Sequence, residues 1–238
     1  MKFFQVSIDK VDVIRIHVEP LWGMCHALGC TDNIEKAKQM AIESLSIAQK
    51  AGDIWISILI QLSVGSGCVI AEDFDSAQDY LTNAESSSIK VKDPFCLSNS
   101  YLWLALKAWK QGYLNTALGY LEKMIVLIRK NKYEFLLSSE TLLGLRDREE
   151  IMPLLISARE NEIEKAFIQH ALQEKSLENC TYHPGYTLWV KTFGNFTVWQ
   201  GNKKLDRQDW KREKTWHLFQ LLVGFREKWL HRDQILSL

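Results

Sequence analysis

Between residues 31 and 133 the apolar positions recur with helical spacing, and the pattern repeats at intervals of 40. Three segments align without gaps: TDNIEKAKQMAIESLSIAQKAGD from Thr31, AEDFDSAQDYLTNAESSSIKVKD from Ala71, and QGYLNTALGYLEKMIVLIRKNKY from Gln111. Ile34, Phe74 and Leu114 give a large apolar residue, and Glu35, Asp75 and Asn115 follow with a polar residue suited to a helix start. Ala37, Ala77 and Ala117 are identical. Ala41, Leu81 and Leu121, then Ser44, Ala84 and Met124, continue the stripe at i, i+4, i+7, which predicts a helix in each segment. The residues before each segment are also apolar, with small Cys25, Gly65 and Ala105 beside larger Met24, Val64 and Leu104. Small residues there let two antiparallel helices approach closely. Each unit is a helix hairpin that cannot bury its own apolar face, so the units must stack.

This pattern over residues 15–132 resembles the tetratricopeptide repeat. Its period exceeds the usual 34 and matches the extended (MalT-like) variety found in large bacterial signalling ATPases and transcription activators. The resemblance implies a helical solenoid whose concave face offers Trp22, His26, Ser66, Asn99 and Trp109 to a protein or small effector. From Tyr133 the register changes, with Leu136, Leu137, Leu142 and Leu143 in one stretch. Pro153 suits the first turn of a helix, and a helix over about 153–175 is expected to cap the array.

Beyond Tyr186 the period falls to two. YTLWVKTF and NFTVW are aromatic and β-branched, separated by Gly194 and followed by the turn signal Gly201-Asn202, which predicts a meander of short strands. From Lys211, KREKTWHLFQLLVGF places Trp216, Phe219, Leu222 and Val223 on one helix face, with basic residues at its start. LHRDQILSL opens a second helix. The G-x-F-x-V motif at Gly194, Phe196 and Val198, the Trp210 ahead of the first helix, and the R-x-x-I-L helix at Arg232, Ile235 and Leu236 resemble the opening half of an OmpR/PhoB-type winged-helix domain. The version in antibiotic-regulatory and related bacterial transcription activators is the most similar. In that family a recognition helix and a β-wing follow, and both are expected to lie beyond Leu238. The resemblance therefore implies DNA binding by the complete parent domain and weak or absent binding here.

Charge sharpens the division. The whole chain carries 29 basic and 29 acidic residues, yet residues 186–238 hold ten Lys and Arg against five Asp and Glu, and five of the nine tryptophans. Such asymmetry marks two modules with different partners. The expected organisation is a mainly α chain: a TPR-like helical repeat domain over 1–175, a linker over 176–185, and a small α+β partial winged-helix module over 186–238. Five scattered cysteines without a C-x-x-C pair fit a reducing compartment. The charged N-terminus MKFFQVSIDKVDVIRIH lacks a secretory apolar run, and no stretch is long enough to span a bilayer, so a cytoplasmic location is expected.

No phosphate loop, dinucleotide fingerprint, H-E-x-x-H or G-x-S-x-G motif occurs, and neither catalysis nor a cofactor is expected. Gly65-Ser66-Gly67 is read as close helix packing. Cys25, His26 and Cys30 lack a second pair to complete a tetrahedral set, so no metal is expected. Lys203, Lys204, Lys211, Arg212 and Lys214 form a basic cluster with aromatic neighbours and are the candidate contacts to a DNA backbone. The function expected is a bacterial transcriptional regulator fragment, a helical-repeat sensor or scaffold coupled to a winged-helix module. The alternative is a protein-interaction scaffold with no nucleic-acid role.

Overall fold

Aspartates ahead of apolar runs set the starts of three consecutive helices in this chain. The computed structural model describes residues 14–31, 33–146, 148–174, 177–180, 188–200, 203–226 and 230–236. Six helices come first: α1 Ile14–Gly29, α2 Ile34–Ala51, α3 Ile54–Ile70, α4 Phe74–Val91, α5 Pro94–Lys110 and α6 Leu114–Asn131. The 18-residue helices α2, α4 and α6 begin 40 residues apart, as do the 17-residue helices α3 and α5.

The caps follow the same phase. The carboxylates of Asp53, Asp73 and Asp93 accept hydrogen bonds from the first-turn amides of Ile56, Ser76, and Phe95 with Cys96, satisfying donors that the helix leaves orphaned. Of the residues before the large apolar positions Ile34, Phe74 and Leu114, Asp73 caps its helix, whereas Asn33 and Tyr113 make no side-chain cap bond. Asp75, expected to suit the start, lies inside the first turn instead. Each even helix ends in left-handed backbone, at Gly52 (φ 69°), Lys92 (φ 58°) and Lys132 (φ 60°). Only the first of these uses the residue that adopts it without steric cost.

Each helix packs against the next, and the odd helices also touch one another, α1 with α3 and α3 with α5. Ala37, Ala77 and Ala117 are fully buried at equivalent positions, as are Ala41, Leu81 and Leu121. Backbones approach closely where α1 meets α3: a Cβ built on Gly67 would lie 2.8 Å from the Gly29 carbonyl oxygen and 2.9 Å from its Cα. Gly65 allows a similar approach of α4, since a Cβ there would meet the Leu81 side chain at 2.7 Å.

From Ile56 to Val69 every residue of α3 except Ser57 and Gln61 is buried. Full burial on all sides suits its uniform apolarity and requires a third layer beside the even helices. The chain itself helps supply it. After the short helix α7 (Phe135–Ser138), residues 139–146 turn back across the odd helices. The Trp103 indole of α5 donates to the Leu143 carbonyl at 2.7 Å, Gly144 sits beside Asn99, and the Arg146 guanidinium donates to the Gly29 carbonyl of α1 at 2.8 Å. Leu143 and Leu145 are buried, while Leu142 of the same expected apolar stretch is exposed.

A 3-10 turn Arg148–Ile151 leads into α8 (Met152–Glu160), with Pro153 in its first turn. The single helix expected over 153–175 is in fact two, because the chain leaves helical geometry at Asn161 and re-enters it at α9 (Lys165–Gln173). Glu162 and Glu164 take positive φ in the turn, and the Ile163 amide returns to the Ala158 carbonyl, the bond of a left-handed helix stop. Residues 177–180, within the expected linker, pack onto this pair: Leu177 joins the core, and the Arg159 guanidinium donates to the carbonyls of Glu178 and Cys180.

The C-terminal strands are β1 (Leu188–Lys191), β2 (Thr197–Gln200) and β3 (Lys203–Lys204), antiparallel in the order β1-β2-β3 with Trp189 opposite Trp199. Helix α10 spans Glu213–Gly224 and α11 spans Arg232–Leu236. The expected start at Lys211 is displaced to Glu213, since Lys211 has φ 55°. An aromatic cluster joins sheet to helix: Phe196 meets Trp216 edge-on with centroids 5.1 Å apart, and Trp210 packs on Trp216 at 5.1 Å and Phe219 at 4.9 Å. The chain is mainly α-helical, and no described helix is long and apolar enough to cross a membrane.

Candidate functional site

Two regions gather the residues singled out by sequence. The first surrounds the start of α10. Lys203 and Lys204 form β3, Lys211 and Arg212 occupy the turn before the helix, and Lys214 stands in its first turn. Lys211, Arg212 and Lys214 are exposed. Arg207, Gln208, Lys211, Arg212, Glu213 and Trp216 line a small cavity of about 260 Å³. The Glu213 carboxylate lies 3.6 Å from Arg207, so one acid is set among the cations. This is a mixed-charge rim with an aromatic floor, suited to loose anion contact through solvated side chains.

The second region lies where α1 meets the start of α3. Trp22 and His26 are one helical turn apart on α1, and both line a cavity of about 660 Å³ together with Glu19, Pro20, Gly23, Ala27, Trp55, Ile56 and Leu142. The Trp22 indole donates to the Ser63 hydroxyl at 3.0 Å. Trp55, 52% exposed, donates to the Asp93 carboxylate at 3.2 Å, so the cap of α5 also orients this ring. Sequence reasoning missed Glu19, Trp55 and Leu142. Trp55 was detectable as an indole two residues after the capping Asp53, whereas Leu142 reaches the cavity through a chain reversal that no local pattern encodes.

The other expected concave-face residues stand elsewhere. Ser66 and Asn99 are buried, so they do not face a partner as the concave-face assignment required. The Ser66 hydroxyl folds back to the Ser63 carbonyl and the Asn99 amide to the Phe95 carbonyl, a local bonding habit of short polar side chains in helices. The chain's own residues 139–146 then cover Asn99. Trp109, near the end of α5, is half-buried against the core and does not line the cavity.

Burial pushes the thiols of Cys25, Cys68 and Cys96 up, to about 11, 12 and 12, leaving them protonated and unreactive at neutral pH. His26 is pulled below the ordinary imidazole value, first by burial and then by the nearby Arg146 cation. Its Nε2 lies 3.4 Å from the Cys30 sulfur, and its Nδ1 is buried without a hydrogen-bond partner. The Cys25 sulfur instead meets the Ser44 hydroxyl at 3.7 Å. Among the described residues no three potential metal ligands come together. Comparison with known protein families, with curated proteins and with solved structures finds no match to this chain.

Proposed function

We propose that this chain is a non-enzymatic regulatory protein: a TPR-like solenoid that senses an effector or partner, coupled to the opening part of a winged-helix DNA-binding module. The observation that carries this reading is the union in one chain of two units. One is a helical array with helices, caps and buried alanines in 40-residue phase. The other is a small sheet locked to a basic-started helix by Phe196, Trp210, Trp216 and Phe219. Exposed cations at such a helix start address phosphates, which position a protein on a duplex without reading its sequence.

The test is a titration of labelled duplexes of differing sequence with the whole chain at two salt concentrations. With Lys211, Arg212 and Lys214 neutralising about three phosphates, a fourfold rise in salt should weaken binding roughly 40-fold, equally for all sequences. Tight binding to one sequence that survives the higher salt would refute the loose-contact assignment. A second reading, a protein-interaction scaffold without a nucleic-acid role, draws on the placement of Glu213 beside Arg207 within the basic rim. It predicts no binding at either salt concentration.

A further inference from the structure

The cavity between α1 and α3 has an uneven chemical make-up. Its walls are chiefly apolar, and its two indoles have their N–H groups engaged outside the cavity, Trp22 with Ser63 and Trp55 with Asp93. What the indoles offer an occupant is therefore ring surface. Among the described residues the ionisable lining groups are Glu19 and His26. Glu19 is exposed and has no ion-pair partner among the described residues, while the Arg146 cation lies near His26, where its guanidinium donates to the Gly29 carbonyl. Among the described residues the lining therefore carries the Glu19 carboxylate, without an ion-pair partner, and no Lys or Arg. A polyol would find too few hydrogen-bond partners on such walls, and an anion would meet Glu19. A volume of about 660 Å³ lies in the range of small-molecule sites.

Taking the helical array as an effector sensor, we propose that this cavity binds a small organic cation, an aromatic or bulky apolar amine, with its ammonium between Glu19 and the indole faces of Trp22 and Trp55 and its body on the apolar wall. Two independent features favour that class. Tryptophan is the best side-chain partner for a cation placed over a ring, and a charge-assisted bond from ammonium to carboxylate is stronger than a neutral one. Leu142 closes one side, so the occupant also touches the segment that returns across the array.

Three probes sharing one aryl body separate charge from shape: 1-naphthylmethylammonium, 1-naphthalenemethanol and 1-naphthoate, each titrated calorimetrically into the full chain at pH 7. The cation should bind about tenfold more tightly than the alcohol, and the anion more weakly than either. Glu19→Gln should bring the cation down to the alcohol's affinity and leave the alcohol unchanged. Trp55→Phe keeps an aromatic wall and should weaken the cation several-fold more than the alcohol; a thermal melt of each variant verifies folding. Equal or tighter binding of the anion, binding of none of the three, or a cation affinity indifferent to Glu19→Gln would overturn the proposal. The duplex titration reads the C-terminal unit alone, so failure of the ligand class and failure of the DNA-module reading are told apart.

Discussion

Replacing Gly67 by alanine sets two opposing effects against each other at one atom. In a helix interior alanine is favoured over glycine by about 1 kcal/mol, so propensity alone predicts a more stable protein. At this position, however, the new Cβ would lie 2.8 Å and 2.9 Å from main-chain atoms of Gly29, and 3.1 Å from Ile34 Cδ1. Main chain cannot rotate aside as a side-chain tip does, so α1 and α3 must separate along a buried seam. Overpacking of this kind costs roughly 1–3 kcal/mol, and the backbone contacts place it toward the upper end. The net expectation is a loss of about 1–2 kcal/mol. Gly119 on α6 is the control, because a Cβ there meets nothing within 4 Å, and Gly119→Ala should stabilise by up to about 1 kcal/mol. At roughly 2–4 °C per kcal/mol for a chain of this size, the two melting temperatures move in opposite directions. Far-UV circular dichroism during thermal and urea unfolding reads both. A Gly67→Ala protein as stable as the parent would refute close backbone approach as the reason for glycine there.

Two further outcomes follow from polar contacts. Asp73 accepts from the Ser76 amide and receives the Lys38 ammonium at 2.7 Å, and chiefly the Lys38 bond holds its carboxyl below the usual value of 3.8. A carboxylate depressed in the folded state contributes stability above its unfolded value and loses it as pH falls through the folded one. Asp73→Asn, which keeps a capping oxygen, should therefore cost about 0.5–1 kcal/mol at pH 7, and denaturant titrations should show that gap closing as pH drops below 3.8; a gap constant down to pH 2 would contradict the ion pair. Trp103→Phe removes the donor to the buried Leu143 carbonyl and should cost about 2–4 kcal/mol, with amide exchange accelerating first in residues 139–146; uniform acceleration throughout the helices would show that the bond does not hold that segment.

Helix phase was legible because the 40-residue recurrence is carried by local signals: an apolar stripe and a buried alanine. The Lys211 turn, the break at Asn161 and the return of residues 139–146 were not. Positive φ at Lys92, Lys132 and Lys211 arises at residues whose type gives no warning of it. The polar residues expected on an inner face, Ser66 and Asn99, failed for a related reason. Asn99 is covered by what the chain places over α5 from 40 residues downstream, and Ser66 lies in α3, a helix buried on all sides; no window of local periodicity contains either fact. Of the cavity, Trp22 and His26 could be named from sequence, since they share a helix face, while Glu19, Trp55 and Leu142 needed the packing of α1 on α3.

An open stack of hairpins grows or shrinks by whole units, since each touches only its neighbours and its stability is a sum over links. Residues 139–146 change that rule here. They are bonded to α5 through Trp103 and to α1 through Arg146, so they span the stack at a fixed reach, like a strut cut to one length. Deleting one 40-residue unit would leave every remaining cap and stripe in phase and still misplace the strut at one end. The same tie links the first helix to the fifth across the intervening three, a connection that neighbour-to-neighbour packing alone does not make.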